Sequence, residues 1–507
     1  MWRQAASVGG LTLVSRLFGF LRDMMMAAIL GAGPLADAFM IAFRLPNHFR
    51  TIFAEGAFNA AFVPRYAGAL EAEGTRAARD FAGSILGWTL LIHAVVLALA
   101  LVGTPVLVSV LAPGFTDDPA QFALTVSLTR ITFPYLFLIS VMTLGAGMLN
   151  AHGRFAAAAG ASILLNICMM AGLALASFFP TAAHALAWGV LASGFAQLGL
   201  ILWDLRRGHI PLKLRRPRFN KPVADFARGF LPAVLGSAGT QIAMFADTII
   251  ASFLPQGSVS FLYYAERLYQ LPVAVIGIAI GTVLLPDLSR RLAGGDHDGA
   301  SHSFNRAVEG SVILALPFVV LFMIDPAPVL AVLFGRGAFD AHAIAGSASA
   351  LAAYSAGLLA VVLLRPVTSA FYACKDTTTP VIALGIATII NVALKIALVG
   401  TWLHAGLALA TAVGAWINLG VLLFLIHRRG ILTFDARLGR MLLFCLAGAT
   451  GAAVVLVLLA APSEALRGLL PVDPELAPLA LRALGAAVLY FGVVGLAWRF
   501  GRTRIAG

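Results

Sequence analysis

The chain has 507 residues, 60% of them hydrophobic and only 11% charged, with a mean hydropathy of +0.92. So few charges cannot cover a soluble surface of this size, which excludes an ordinary globular enzyme and points to an integral membrane protein. The net charge of +12 reads, in that class, as a basic cytoplasmic face rather than a nucleic-acid-binding surface.

Arg16 interrupts the first apolar stretch and no small-residue cleavage site follows it, so that stretch is expected to stay in the mature protein. About fourteen apolar segments are predicted to cross the bilayer, each needing roughly 20 residues. They centre near residues 18, 50, 97, 136, 167, 194, 240, 275, 318, 357, 390, 415, 448 and 489. The connecting loops alternate in charge. One set carries Arg65, Arg76 and Arg79, then Arg154, the block from Arg206 to Lys221, Arg290 and Arg291, Lys375, and Arg428 to Arg440. The other holds little beyond Arg336 and Arg467, with acids such as Asp117 and Asp118. The positive-inside rule makes the first set cytoplasmic, and both termini with it, as an even number of spans requires. Cys168, Cys374 and Cys445 lie in or beside separate apolar segments without metal-ligand spacing and read as small core residues.

The chain repeats itself at a spacing of roughly 222 residues, the length of a whole lobe. QLGLILWDLRRG, ending at Gly208, matches NLGVLLFLIHRRG, ending at Gly430. Asn166 falls opposite Asn391, Pro64 opposite Pro286, and His152 with Arg154 opposite Lys375 with Asp376. The predicted organisation is an N-terminal six-helix lobe over residues 1–208 and a basic linker over 209–222, attractive to anionic headgroups. A C-terminal six-helix lobe over 223–430 and an appended helix pair over 431–507 complete it. Parallel repeats of this kind are related by an axis along the membrane normal and place a substrate site between them near the midplane.

Charged residues inside apolar spans mark where function sits, because a charge at the centre of a membrane helix costs about 2.5–3.5 kcal/mol on insertion scales. The first two spans carry Arg16, Arg22, Arg44 and Arg50 together with Asp23 and Asp37. Arg16 and Asp23 are a heptad apart and share a helix face, as do Asp37 and Arg44. Pro46 is expected to break or kink the second span just before His48 and Arg50. Arg267, in YYAERLYQLP, lies at a depth roughly matching Arg44. Guanidinium groups bind phosphate oxygens bidentately and stay charged at physiological pH, so this set could form a basin for a large anion. The ordinary alternative is that they pair with Asp23, Asp37, Glu55 and Glu266 and only lock helices together; five arginines outnumber those four acids. A second group is Asp247, Asn391, Lys395 and Thr411, read either as a structural pair between Asp247 and Lys395 or as an ion-coupling site. Arg130, Arg228, Arg306, Arg365 and Arg482 sit near predicted span ends, where snorkelling to headgroups is the expected role. No phosphate-binding glycine loop, metal-binding histidine cluster or nucleophile elbow is present. Energy would then come from an ion gradient, the membrane potential or consumption of the substrate.

SRLFGFLRD (Ser15–Asp23), ADAFMIAFRLPNHFRTIFAEGAFNAAFVP (Ala36–Pro64) and YYAERL (Tyr263–Leu268) resemble signatures of the bacterial lipid II flippases, the MurJ or MviN family. GIAIGTVLLP (Gly277–Pro286) and KDTTTPV (Lys375–Val381) fit the same pattern, and the resemblance runs from about residue 5 to 500. It implies an all-α membrane protein of the multidrug/oligosaccharidyl-lipid/polysaccharide exporter superfamily. That fold has two pseudo-symmetric six-helix lobes and two extra helices that shape a groove for a lipid tail. It implies no enzyme and no cofactor, but a monomeric transporter of the bacterial cytoplasmic membrane, working near other cell-wall synthesis proteins. Its partners would be membrane lipids and a polyprenyl-diphosphate lipid, with no nucleic acid. The family's essential charges fall here on Arg16, Arg22, Asp23, Asp37, Arg50 and Arg267. Glu266 stands where the family usually has Asp, and Cys374 occupies an often basic position. Some members hold sodium at positions matching Asp247, Asn391 and Thr411; Lys395 replaces an acid there, so sodium and any other metal are not expected. The competing readings are a flippase for another polyprenyl-diphosphate-linked glycan and an ion-coupled multidrug exporter of the same superfamily. The second should present acids and aromatics rather than an arginine excess.

Overall fold

A computed structural model of the chain describes residues 2–50, 57–467 and 474–503. The described residues are helical throughout their regular structure, and their contacts divide the chain into two compact units. One unit runs to Val259 and includes Gly337–Phe339; the other comprises Ser260–Arg336 and the chain from Asp340 onward.

The first unit holds α1 (Trp2–Leu30), α2 (Pro34–Arg50), α3 (Ala57–Ala72), α4 (Gly74–Val102), α5 (Thr104–Leu111), α6 (Pro119–Thr132), α7 (Pro134–Ala151), α8 (Ala156–Ala174), α9 (Ala182–Arg207) and α10 (Lys221–Ser252). The second is built from α11 (Ser258–Ala293), α12 (His297–Ile324), α13 (Pro326–Phe334), α14 (Ala341–Ser355), α15 (Leu358–Ala373), α16 (Thr378–Arg428), α17 (Ala436–Leu458), α18 (Ala460–Glu464) and α19 (Leu476–Thr503). Among the described residues ten helical stretches are long and apolar enough to cross a membrane, α6 with α7 and α14 with α15 each counting as one. α16 is broken at Leu403, whose φ of 47° lies in the left-handed region, so its two arms correspond to the segments centred near 390 and 415. The centre near residue 50 falls at the end of α2, and that near 357 in the turn between α14 and α15.

Helices surrounded by lipid gain little from hydrophobic burial against one another, so close packing and buried polar contacts carry the association. α8 and α9 cross so tightly that a Cβ on Gly172 would come within 2.5 Å of the Ala185 carbonyl oxygen, and one on Gly189 within 2.8 Å of that of Cys168. The first unit's core is a run of rings, with Phe62 stacked between Phe58, Tyr66 and Phe81. Phe226 of α10 meets Phe58 edge-on at 5.6 Å, so α10 packs with the first unit and the division by contacts falls after it. The second core runs through Phe304, Phe371, Leu422, Met441 and Tyr490, which draws α17 and α19 into the same body as α12 and α15.

The basic linker is extended rather than helical and lies along α4. Arg215 is ion-paired with the Asp80 carboxylate at 2.6 Å, and the Trp88 indole N–H donates to the Arg218 carbonyl at 3.4 Å. The second unit repeats the device: Asn305 on α12 donates to the Thr433 carbonyl at 2.9 Å, and Arg306 binds Asp435 at 2.5 Å.

Two of the arginines read as snorkelling have other roles. Arg306 is ion-paired with Asp435 and with the buried Glu309. Arg482, only 4% exposed, donates to Asp325 at 3.1 Å and ties α19 to the end of α12. A guanidinium so enclosed must carry its counter-ion with it, because no headgroup reaches it. Cys374 is exposed, not a core residue; it occupies the turn after α15. Removing one partner of the Arg482–Asp325 pair should cost about 3–5 kcal/mol, whereas the double variant Arg482→Met/Asp325→Leu should approach wild type. Thermal unfolding of the purified protein in detergent checks this; a loss in the double variant equal to the two single losses added together would show that the pair is not coupled.

Candidate functional site

The arginine set starts on α1. Residues 13–21 of that helix are largely exposed and apolar, and Arg16 among them is exposed too. One turn further along the helix becomes buried: Arg22 is 7% and Asp23 3% exposed. Adjacent residues do not face each other on a helix. Arg22 therefore reaches sideways, and the Asp23 Oδ1 accepts from its Nε at 3.1 Å and its Nη2 at 2.7 Å. Nη1 points across to α8, where it donates to Asn166 Oδ1 at 3.0 Å and passes 3.7 Å from Met169 Sδ. Asn166, itself buried, donates from Nδ2 to the carbonyls of Ser15 at 3.1 Å and Ser162 at 3.2 Å. One amide thus holds the guanidinium in place and fastens α1 to α8.

This arrangement answers the cost of burying charge. A lone guanidinium taken out of water loses several kcal/mol of hydration, roughly recovered only when a carboxylate and further hydrogen bonds replace the water. Asp23 supplies the charge and Asn166 the orientation.

On α2, Asp37 is 1% exposed, and its Oδ2 accepts the backbone N–H of Gly257 at 2.6 Å, in the turn before α11. Arg44 is half-buried and donates to Thr248 Oγ1 of α10 at 2.8 Å, next to Asp247. Arg50 is half-buried at the end of α2, its Nε 3.2 Å from Asn47 Oδ1. The break expected at Pro46 does not occur, and α2 continues to Arg50. Proline removes the N–H that would have reached the Ala42 carbonyl. The hydroxyl of Thr132, on α6, donates to that carbonyl at 2.8 Å instead, and the helix is repaired from outside.

Arg267 belongs to the second unit, half-buried, with its guanidinium carbon 4.7 Å from the centre of the Tyr263 ring. Such a contact stabilises a cation through the negative face of the ring. Glu55 lies outside the described residues. In the second group, Asn391 donates to the Ala410 carbonyl at 3.0 Å, joining the two arms of α16, and the Thr411 hydroxyl bonds the Leu407 carbonyl one turn back in its own arm at 3.0 Å. Lys395 is 2% exposed within the second unit, and Asp247 is half-buried in the first. No group of three or more metal-type ligands occurs among the described residues.

Asn166 and Thr248 were not singled out as site residues from the sequence. An asparagine in an apolar span is itself a signal; Thr248 carries none, since a threonine in a helix ordinarily bonds its own backbone. Asp23→Asn should leave a buried guanidinium without its acid and cost about 3–5 kcal/mol, whereas Asn166→Ala should cost about 1.5–3 kcal/mol. Thermal unfolding of the purified variants gives that order if Asp23 is the counter-ion; equal stability of Asp23→Asn and wild type would remove it from that role.

The family model described as lipid II flippase MurJ matches residues 26–466. A probable lipid II flippase MurJ from Rhizobium meliloti (strain 1021) is 43% identical over 430 residues, covering 83% of this chain and 79% of the relative. The lipid II flippase MurJ of Burkholderia cenocepacia is 36% identical over 447 residues, covering 85% and 84%. Among solved structures, a lipid II flippase MurJ in an inward closed conformation aligns with a TM-score of 0.80 at 23% identity, over 97% of this chain and 98% of that one. An inward-facing multidrug resistance MATE family transporter of the MOP superfamily aligns with a TM-score of 0.69 at 17% identity, over 84% and 98%. The last two likenesses establish a shared fold.

Proposed function

The chain belongs to the MurJ family of lipid II flippases, and from that membership we propose that it moves lipid II from the inner to the outer leaflet of the bacterial cytoplasmic membrane, for peptidoglycan synthesis. Lipid II joins a disaccharide-pentapeptide through a diphosphate to a polyprenyl tail. That headgroup cannot cross hydrocarbon alone, because its charges and polar groups would lose their water. In this reading both termini are cytoplasmic, the basic loops face the cytoplasm and the protein works as a single chain by alternating access.

The observation that carries the mechanism is Arg22, a buried guanidinium neutralised by Asp23 and aimed by Asn166. Arg22 and Arg267 would hold the diphosphate, with Asp23 as the resting counter-ion that the substrate replaces. A carboxylate at that position neutralises the arginine when the site is empty and competes for it afterwards, which favours release. Arg16, Arg44 and Arg50 would extend the positive field. Asp37 would act in gating, since its bond to the Gly257 N–H ties α2 to the turn before α11 and would have to yield if α2 moves. No covalent step and no cofactor are needed; an ion gradient or the membrane potential would drive the cycle. The arginine excess favours a diphosphate over the cationic substrates of a drug exporter.

Depletion of the protein in its host should collapse the lipid II exposed on the outer face. Wild type should restore it, and Arg22→Ala or Arg267→Ala at matched abundance should not. Unchanged exposure after depletion would overturn the substrate assignment and make another polyprenyl-linked glycan the leading candidate.

A further inference from the structure

The two units build the same turn at the register of the internal repeat, and its second copy shows what the first lacks. After α7, His152 N–H bonds the Leu149 carbonyl at 3.0 Å, Gly153 takes a φ of +72° and Arg154 N–H returns to the Leu149 carbonyl at 2.9 Å. After α15, Cys374 N–H bonds the Phe371 carbonyl at 3.0 Å, Lys375 takes a φ of +61° and Asp376 N–H returns to the Phe371 carbonyl at 3.0 Å. Arg154 therefore stands where Asp376 stands, and Arg207 where Arg429 stands.

In the second unit Asp376 completes the site. Its Oδ1 accepts the N–H groups of Thr378 at 3.1 Å and Thr379 at 2.9 Å, at the start of α16, and its Oδ2 accepts Arg429 Nη1 at 2.8 Å. Those contacts, led by the Thr379 hydroxyl and N–H, hold its carboxyl down at about 2. In the first unit no carboxylate stands at the position of Asp376. Phe155, capping α8, offers no acceptor to the first N–H groups, and Arg154 has none to give. Arg154 turns instead to Asp204, and Arg207 lies 5.3 Å over the Trp203 ring. Between them is a cavity of about 560 Å³, whose lining includes Arg154, Ala156, Gly160, Trp203, Asp204 and Arg207, so a bound phosphate would compete with Asp204 for Arg154.

We infer that this cavity binds the phosphate of an anionic phospholipid, which takes the place filled in the second unit by the Asp376 carboxylate. Open helix N–H groups and a guanidinium suit a phosphate oxygen. The source is a bilayer lipid rather than free phosphate, because Trp203, 55% exposed, and Phe155, 37% exposed, flank the cavity as interfacial aromatics do. The small residues Ala156 and Gly160 leave room for a headgroup beside α8. This inference is independent of the proposed transport role.

The double variant Arg154→Asp/Asp204→Ile tests it most directly, because it rebuilds the second unit's arrangement, where Asp376 and Ile426 stand at these positions: the new carboxylate would cap α8 and take Arg207 as its partner, and no buried acid is left without its arginine. Native mass spectrometry of the purified full-length protein, titrated with phosphatidylglycerol, should show one bound lipid weakened at least about tenfold in the double variant and in Arg207→Gln. Arg228→Gln, at an exposed arginine paired with Asp225, should bind as wild type does. Thermal stability of the double variant should equal or exceed that of wild type, which separates a filled site from a misfolded one. Undiminished binding in the double variant, or phosphatidylcholine binding as tightly as phosphatidylglycerol, would overturn the inference. Competition by inorganic phosphate at equal affinity would overturn the lipid assignment.

Discussion

A guanidinium buried among apolar helices has to bring its own counter-charge and its own hydrogen-bond acceptors. Arg22 finds the first in the residue beside it and the second on another helix, at Asn166. That contact fixes how α1 lies against α8, because the same amide also binds the Ser15 and Ser162 carbonyls. The position of the charge and the packing of the first helix are one solution to one electrostatic problem. A diphosphate arriving at this point would meet an arginine already charged, oriented and largely stripped of water, with little reorganisation left to do.

The remaining polar contacts inside the units follow the same rule of local neutralisation. Thr132 supplies the hydrogen bond that Pro46 removes from α2, and Asp325 accompanies Arg482 into the second core. At the basic-loop face each unit fastens the segment after its sixth repeat helix to a neighbouring helix by an ion pair of reversed polarity: Arg215 to Asp80 in one, Asp435 to Arg306 in the other. The turn pairs reverse as well, Arg154 to Asp204 against Asp376 to Arg429. Backbone geometry has been kept across the repeat while the charges were exchanged. Packing shape and charge sign are therefore separable here, and a cavity stands beside the exchanged charges of the first unit.

Much of this was legible in the sequence because it depends on local pattern. Apolar runs of membrane length locate the helices, and the equal spacings of Pro64 to Pro286 and of Arg154 to Asp376 set the register of the repeat. The arginines of the first two spans stand out because their type is costly where they sit. Partnerships were not legible, since they depend on how helices far apart in sequence turn toward each other. Arg482 resembles a snorkelling residue until α19 is seen beside the end of α12, and the bond from the Gly257 N–H to Asp37 joins residues far apart in sequence. Pro46 resembles a break because the compensating hydroxyl lies on a different helix. The grouping of α10 with the first unit follows from ring contacts of Phe226 that no periodicity in α10 announces.

The central claim is that Arg22 acts through the fork of its guanidinium and not merely through its charge. Binding of lipid II to the purified protein, followed by native mass spectrometry, should be compared between wild type and Arg22→Lys on the folded fraction of each. A lysine keeps the charge but cannot span two phosphate oxygens or contact Asp23 and Asn166 together, so a loss of about tenfold or more in affinity is expected. Equal affinity in the two proteins would contradict the account and reduce Arg22 to a buried charge that serves only to pack α1.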